Sequence, residues 1–168
     1  SSILIICFGS DASALEATFE GKSAALELVV ANTDESRRKG LMFQSELKLN
    51  SGMIFIWPES KKHCMWMKNT SIPLSVAYLS ADGRIKEIYD MVPFSEESIC
   101  SRKNVRMAVE VNQGWFLQNK VAIGEAFNDS NIHGLELSIF LNWYQMFKTA
   151  DVVFFERPGF MDKLAGTD

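Results

Sequence analysis

Residues 63–68, His-Cys-Met-Trp-Met-Lys, set the tightest constraint on what this chain can fold into. In an extended backbone side chains alternate, so Cys64, Trp66 and Lys68 share one face while His63, Met65 and Met67 share the other. Large side chains on both faces need cover on both, which a closed barrel or a sandwich supplies and a sheet packed on one side does not. A second apolar strand, Met53–Trp57, lies just upstream, with Pro58 expected to stop it and a charged loop, Glu59–Lys62, joining the two. Gly52 before it marks a tight turn or a close backbone approach. The downstream end is a polar knot, Lys68-Asn69-Thr70.

The remaining pattern extends this β reading. Ala24–Ala31 is a Leu/Val-rich strand. Thr33 or Asp34 can cap a short helix over Asp34–Met42, with Gly40 as its breaker. Ile72–Leu79 and Arg84–Met91 flank Ser80-Ala81-Asp82-Gly83, where Asp-Gly suits the positive φ of a hairpin turn. Residues 93–104 read as a polar loop. Val105–Val111 alternates cleanly, Trp115–Asn119 is a short helix, and Val121–Phe127 is the last strand expected. Many short strands with brief helices give a mainly β (α+β) class: a compact antiparallel β-barrel or sandwich over residues 24–127.

Residues 128–168 carry a different signal. Ser130 or Asn131 can cap a helix over Ile132–Ala150 whose broad apolar face holds Ile132, Leu135, Ile139, Phe140, Trp143 and Phe147. A helix apolar around most of its circumference needs cover on more than one side. That cover is either the chain's own tail, Val152–Phe160, or an outside surface: a protein partner, the face of a membrane complex, or a hydrophobic cofactor at an interface. The expectation is a helical docking extension followed by an arm.

Composition narrows the function. A formal net charge of −4, with Arg37-Arg38-Lys39 as the single basic triplet, is a poor match for nucleic acid or anionic lipid. Three cysteines without a CxxC pattern, and only two histidines, give no metal centre; His133 and Glu136 alone are too few ligands. Cys64 and Cys100 are the favoured disulfide pair, with Cys7 left over. Ile3–Phe8 followed by Ala12-Ser13-Ala14 reads either as a first strand or as the remnant of an export signal. No Gly-x-Ser-x-Gly elbow and no evident carboxylate pair supports a catalytic centre.

Five ordered blocks give the sequence a family resemblance. They are Arg38, Gly40, Leu41, Met42 and Phe43; Gly52, Met53, Phe55 and Pro58; Trp66–Thr70 with Ile72–Leu74; Asp82, Gly83 and Ile85; and Glu110–Asn112 with Gly114, Trp115, Gly124 and Glu125. In these residues the chain resembles the family called domain of unknown function 192, over about Leu26–Phe127. The resemblance implies a compact, mostly β fold, often behind an export signal, and brings no agreed activity, cofactor or substrate. One departure is Ser75, where the family usually carries an acid after Pro73-Leu74.

Two functional expectations follow. The first is a non-catalytic accessory or structural subunit, docked through its C-terminal helix to a larger, membrane-associated complex on an exported or organelle-lumenal side. The second is a soluble module binding a small, sugar-like ligand, or an enzyme of unrecognised type, with its site at Trp66, Lys68, Asn69 and Thr70. There, the aromatic faces of Trp66 and nearby Trp57 would meet a cation, an amide and a hydroxyl. Asn69 and Thr70 are also natural turn residues. Lys68 could pair with Glu110 across the fold, and Arg38 with Glu110 could form either an ion pair or a carboxylate-binding pocket, which adds both to the candidate ligand-binding residues. No cofactor is expected.

Overall fold

A computed structural model describes residues 14–128 of the chain. The chain divides into two compact units, Ser1–Glu136 and Leu137–Asp168, and the described residues all belong to the first. The docking helix and arm expected over 132–160, and the early segment up to residue 13, lie outside the described residues.

In chain order the elements are β1 (Ala14–Thr18), β2 (Ala25–Ala31), α1 (Asp34–Lys39), β3 (Ser51–Lys61), β4 (Cys64–Met65), β5 (Leu74–Leu79), β6 (Ile85–Met91), β7 (Ile99–Cys100), β8 (Val105–Asn112) and α2 (Trp115–Gln118). Helix α1 starts where its sequence can cap it. The Thr33 hydroxyl accepts from the Ser36 amide at 3.1 Å, and the Ser36 hydroxyl accepts from the Thr33 amide at 3.0 Å. Gly40, at φ 48°, ends it at Lys39, three residues short of the Met42 that the sequence suggests.

Six strands form one sheet in the order β1-β2-β3-β8-β5-β6, and β4 pairs with β7 in a separate ribbon. All neighbours in the sheet are antiparallel except β2 and β3, which are parallel because α1 and the following loop carry the chain back to the start of the sheet. The centre is the ladder β3-β8-β5. Strand β5, Leu-Ser-Val-Ala-Tyr-Leu, is buried at every position, as a strand covered on both faces must be. On one face Phe55, Ala108 and Tyr78 fall in register, and with Leu41, Met65, Met67, Ile72, Leu74, Val76 and Met91 they form a continuous apolar cluster. On the other, Ile54 lies opposite Val109, and Val109 opposite Ala77. The buried aromatics Phe19, Trp115, Phe116 and Phe127 add a second nucleus, with Phe19 and Phe127 stacked at 4.6 Å between centroids.

Four expectations need correction. The sheet is mixed and open rather than a closed antiparallel barrel. Closure is only approached at one end, where Ala126 bridges to Arg84 beside β6 and Phe127 bridges to Phe19 beside β1. The stretch meant to be a last strand, Val121–Phe127, gives only those two bridges. A turn in which the Glu125 amide donates to the Ala122 carbonyl, with Gly124 at φ 96°, uses up the rest. Strand β3 runs on through Pro58 to Lys61, with a register irregularity between Ile56 and Lys61 that accommodates the missing N–H. The strand expected over 63–68 shortens to Cys64–Met65. It pairs with β7, which the sequence reading had placed in a polar loop. Cys64 and Cys100 lie directly opposite in that ribbon and are joined by a disulfide.

Gly52 is where the central ladder is tightest. A Cβ there would lie 2.3 Å from the Glu110 carbonyl oxygen on β8, a main-chain atom that cannot rotate away. Gly52→Ala should therefore lower stability by about 2 kcal/mol or more, read as a fall in the urea midpoint at unchanged slope. A midpoint equal to the unsubstituted protein's would show that β3 and β8 have room to part.

Candidate functional site

Three loops meet beside the apolar cluster. The central one spans residues 66–72. On one side the Phe43 amide donates to the Asn69 carbonyl at 2.9 Å and the Ser71 hydroxyl to the Gln44 carbonyl at 3.2 Å. On the other, the Phe94 amide donates to the Thr70 carbonyl at 3.0 Å and the Met67 amide to the Ser95 carbonyl at 2.9 Å. Each loop holds one non-glycine residue at positive φ: Phe43 at 64°, Asn69 at 54° and Phe94 at 61°. Only one other described non-glycine residue, Lys120, has a positive φ. It costs about 1 kcal/mol or more per residue, and such costs gather at functional sites.

Large apolar side chains are held outward here. Phe43 is 78% exposed, Phe94 65% and Trp66 44%, with Val92 close by in sequence also exposed. The Lys68 ammonium lies 5.2 Å from the centroid of the Trp66 ring, a cation–π contact, and 3.9 Å from the Glu96 carboxylate. The result is an aromatic plate with a cation above it and two further phenyl rings on neighbouring loops.

The expected site residues divide by role. Trp66 and Lys68 face solvent and can meet a ligand. Asn69 shapes the loop through its left-handed backbone. Thr70 is buried, and its hydroxyl donates to the Lys68 carbonyl at 3.2 Å, so it holds the turn. Trp57 is not part of the plate; it stacks on His63 at 3.9 Å. His63 is buried against it, and burial, above all, lowers its pKa. Neither pairing proposed for Glu110 forms: Lys68 pairs with Glu96, and Arg38 is exposed on α1 without an ion pair to Glu110. Arg37 is the anchored guanidinium instead, donating to the carbonyls of Asn32 and Ile56 at 2.7 Å each and pairing with Asp34. Leu41-Met42-Phe43 reads in the sequence as a cluster facing the core, but only Leu41 goes inward while Phe43 is held out, and neither Phe43 nor Phe94 is marked by its sequence as a site residue, because outward-facing phenylalanines in loops are indistinguishable from core residues until the backbone is known.

Two carboxylates inside the fold have opposite environments. Burial pushes Glu87 up, but hydrogen bonds from the Tyr89 hydroxyl and the Arg102 and Lys103 amides outweigh it and hold its pKa below the ordinary value. Glu110 has no such partners among the described residues. It is 3% exposed, between Met53 on β3 and Val76 on β5, and burial pushes it up to about 8. Burial raises the Tyr78 pKa in turn, with Glu110 adding to the rise. Where the family resemblance led to an acid at position 75, Ser75 donates to Asp90 directly across the β5–β6 ladder and accepts from the Gly114 amide at 2.9 Å. A carboxylate thus stands one strand away from the expected place. Among the described residues no group of three or more His, Cys, Asp or Glu is gathered as metal ligands would be.

Because the folded protein holds Glu110 protonated up to about pH 8 while the unfolded chain releases that proton near 4.5, stability should fall as pH rises between those values. It should be complete below the lower value and level off above the upper. Glu110→Gln should flatten this part of the profile, measured by urea unfolding at stepped pH. A profile unchanged by the substitution would mean that other groups set it.

The comparisons with known proteins agree with this architecture. The model of the DUF192 family, described as uncharacterized ACR, matches residues 15–128. A structure from Sinorhizobium meliloti 1021, described as a candidate transcription regulator, is 29% identical with a TM-score of 0.68, covering 71% of this chain and 96% of that one. A protein of unknown function from Novosphingobium aromaticivorans DSM 12444 is 28% identical with a TM-score of 0.65, covering 68% and 84%. No curated protein matches the chain.

Proposed function

The chain belongs to the DUF192 family, which brings no assigned chemistry, and from its own surface we propose that the domain is a non-catalytic binding module for a small, sugar-like ligand held against Trp66. The observation that carries this reading is the Trp66 ring with the Lys68 ammonium 5.2 Å from its centroid, on a loop tied by main-chain bonds to both neighbours. An aromatic face accepts the C–H face of a sugar ring, and an ammonium donates to hydroxyls at its edge. Phe43 and Phe94 supply further apolar contact. Side chains this exposed do not exclude water, which favours binding over chemistry. The regulator description of the S. meliloti protein transfers poorly, since a net charge of −4 does not suit a DNA backbone. The Cys64–Cys100 disulfide fits an exported or organelle-lumenal setting.

Titration with a panel of neutral mono- and disaccharides, followed by saturation-transfer NMR, tests the site. Trp66→Ala should weaken binding about tenfold and Lys68→Ala several-fold, with little change in melting temperature because both side chains reach solvent. Equal binding by both variants, or no binding across the panel by the unsubstituted protein, would remove this site.

A second reading concerns the extension. The family match ends at residue 128, so the apolar pattern of Ile132–Ala150 is additional to the family body. We propose that this segment docks the protein, as an accessory subunit, to a larger membrane-associated complex. The intact chain should then co-migrate with that complex in native extracts, and Ile139→Asp with Trp143→Asp should release it. A protein that migrates as a monomer from its native source speaks against docking.

A further inference from the structure

Two Asn-x-Ser tripeptides occur in the chain, Asn69-Thr70-Ser71 and Asn128-Asp129-Ser130, and neither has proline in the middle. The first lies in the loop over 66–72. It arises because Ser71 fills the position that the resemblance blocks, Trp66–Thr70 and Ile72–Leu74, leave open.

The structure separates the two asparagines. Asn128 is half-buried, and its side-chain amide donates to the Thr18 hydroxyl. Asn69 is exposed, and its turn uses only main-chain atoms. The Thr70 amide closes onto the Met67 carbonyl at 3.0 Å, and the Asn69 carbonyl accepts from the Phe43 amide. A left-handed backbone at φ 54° suits asparagine. The side-chain amide of Asn69 takes no part: it makes no hydrogen bond among the described residues. Ser71 is exposed too, with its hydroxyl on the Gln44 carbonyl at 3.2 Å. A modification that reads this hydroxyl therefore precedes closure of that contact, and the fold's part is to leave room for the product. Phe43, Trp66 and Phe94 are held outward on this loop and its neighbours. A bulky polar group on Asn69 covers exposed apolar surface there and displaces no packed side chain.

We propose that Asn69 is an N-glycosylation acceptor. Its Nδ2 bonds to the anomeric carbon of a sugar delivered as a lipid-diphosphate-linked oligosaccharide. The bond from that carbon to the diphosphate oxygen breaks, the lipid diphosphate leaves with the electron pair, and Nδ2 gives up one proton. The site rests on the exported setting that the Cys64–Cys100 disulfide fits. It does not need the soluble ligand proposed at Trp66.

Trypsin cuts after Lys68 and Arg84 and releases peptide 69–84, in which Asn69 is the sole asparagine. The intact protein from its native source is treated with peptide N-glycosidase in heavy-oxygen water, which leaves labelled aspartate wherever a glycan is removed. The label should appear at residue 69, be absent without the enzyme, and accompany a drop in apparent mass on electrophoresis. Ser71→Ala expressed in the same cells should lose the label at residue 69, and Ser71→Thr should keep it. Unlabelled peptide 69–84, a label confined to Asn128, or a label at residue 69 undiminished in Ser71→Ala would each overturn the proposal. The label on the unsubstituted protein decides the matter even if Ser71→Ala does not fold. A failed sugar titration at Trp66 leaves it standing, because the label reports a covalent bond.

Discussion

Strand β8 hydrogen-bonds to β3 on one side and to β5 on the other, and its side chains are covered on both faces. This close three-strand ladder fixes the rest. It requires a residue without a side chain at Gly52, where the Glu110 carbonyl leaves no room for a Cβ. It sets the register that aligns Phe55, Ala108 and Tyr78 on one face. It also carries Glu110 into the apolar cluster, because a period of two leaves no other direction for a residue between Val109 and Val111. Burial on both sides makes the ladder stable and makes any polar residue within it costly.

The loop cluster depends on the same frame. Leu41, Met67 and Ile72 anchor two of the three loops in the cluster over the ladder, while Phe43, Trp66 and Phe94 point the other way. Main-chain hydrogen bonds between the loops offset the unfavourable backbone at Phe43, Asn69 and Phe94. A surface held at such cost differs from a merely exposed hydrophobic residue, such as Leu117 at the end of α2.

Much of the site's makeup was legible from residue type. Asn69 and Thr70 were natural turn formers, and the structure uses them so: one in a left-handed conformation, the other buried with its hydroxyl on the Lys68 carbonyl. Trp66 and Lys68 were legible as a pair, but their stacking depended on the strand ending at Met65. The two electrostatic pairings failed for a reason outside local pattern. Which cation meets which carboxylate is decided by the path of the loops, and Glu96 from a distant loop reaches Lys68 first.

By itself the sequence determined the mainly β class, the positions of β2, β5, β6 and β8, a helix cap at Thr33 or Asp34, a turn or close approach at Gly52 and the family. Alternation, capping residues and turn chemistry are local, and act within a few residues of where they are written. Only the tertiary structure decided that the sheet stays open, that β3 passes through Pro58, and that β4 leaves the main sheet to pair with β7. Strand partners are chosen by packing between segments far apart in the chain, and no local pattern records that choice. The same holds for Glu110: its residue type invites a surface ion pair, and its place in the ladder makes it a protonated acid inside the core.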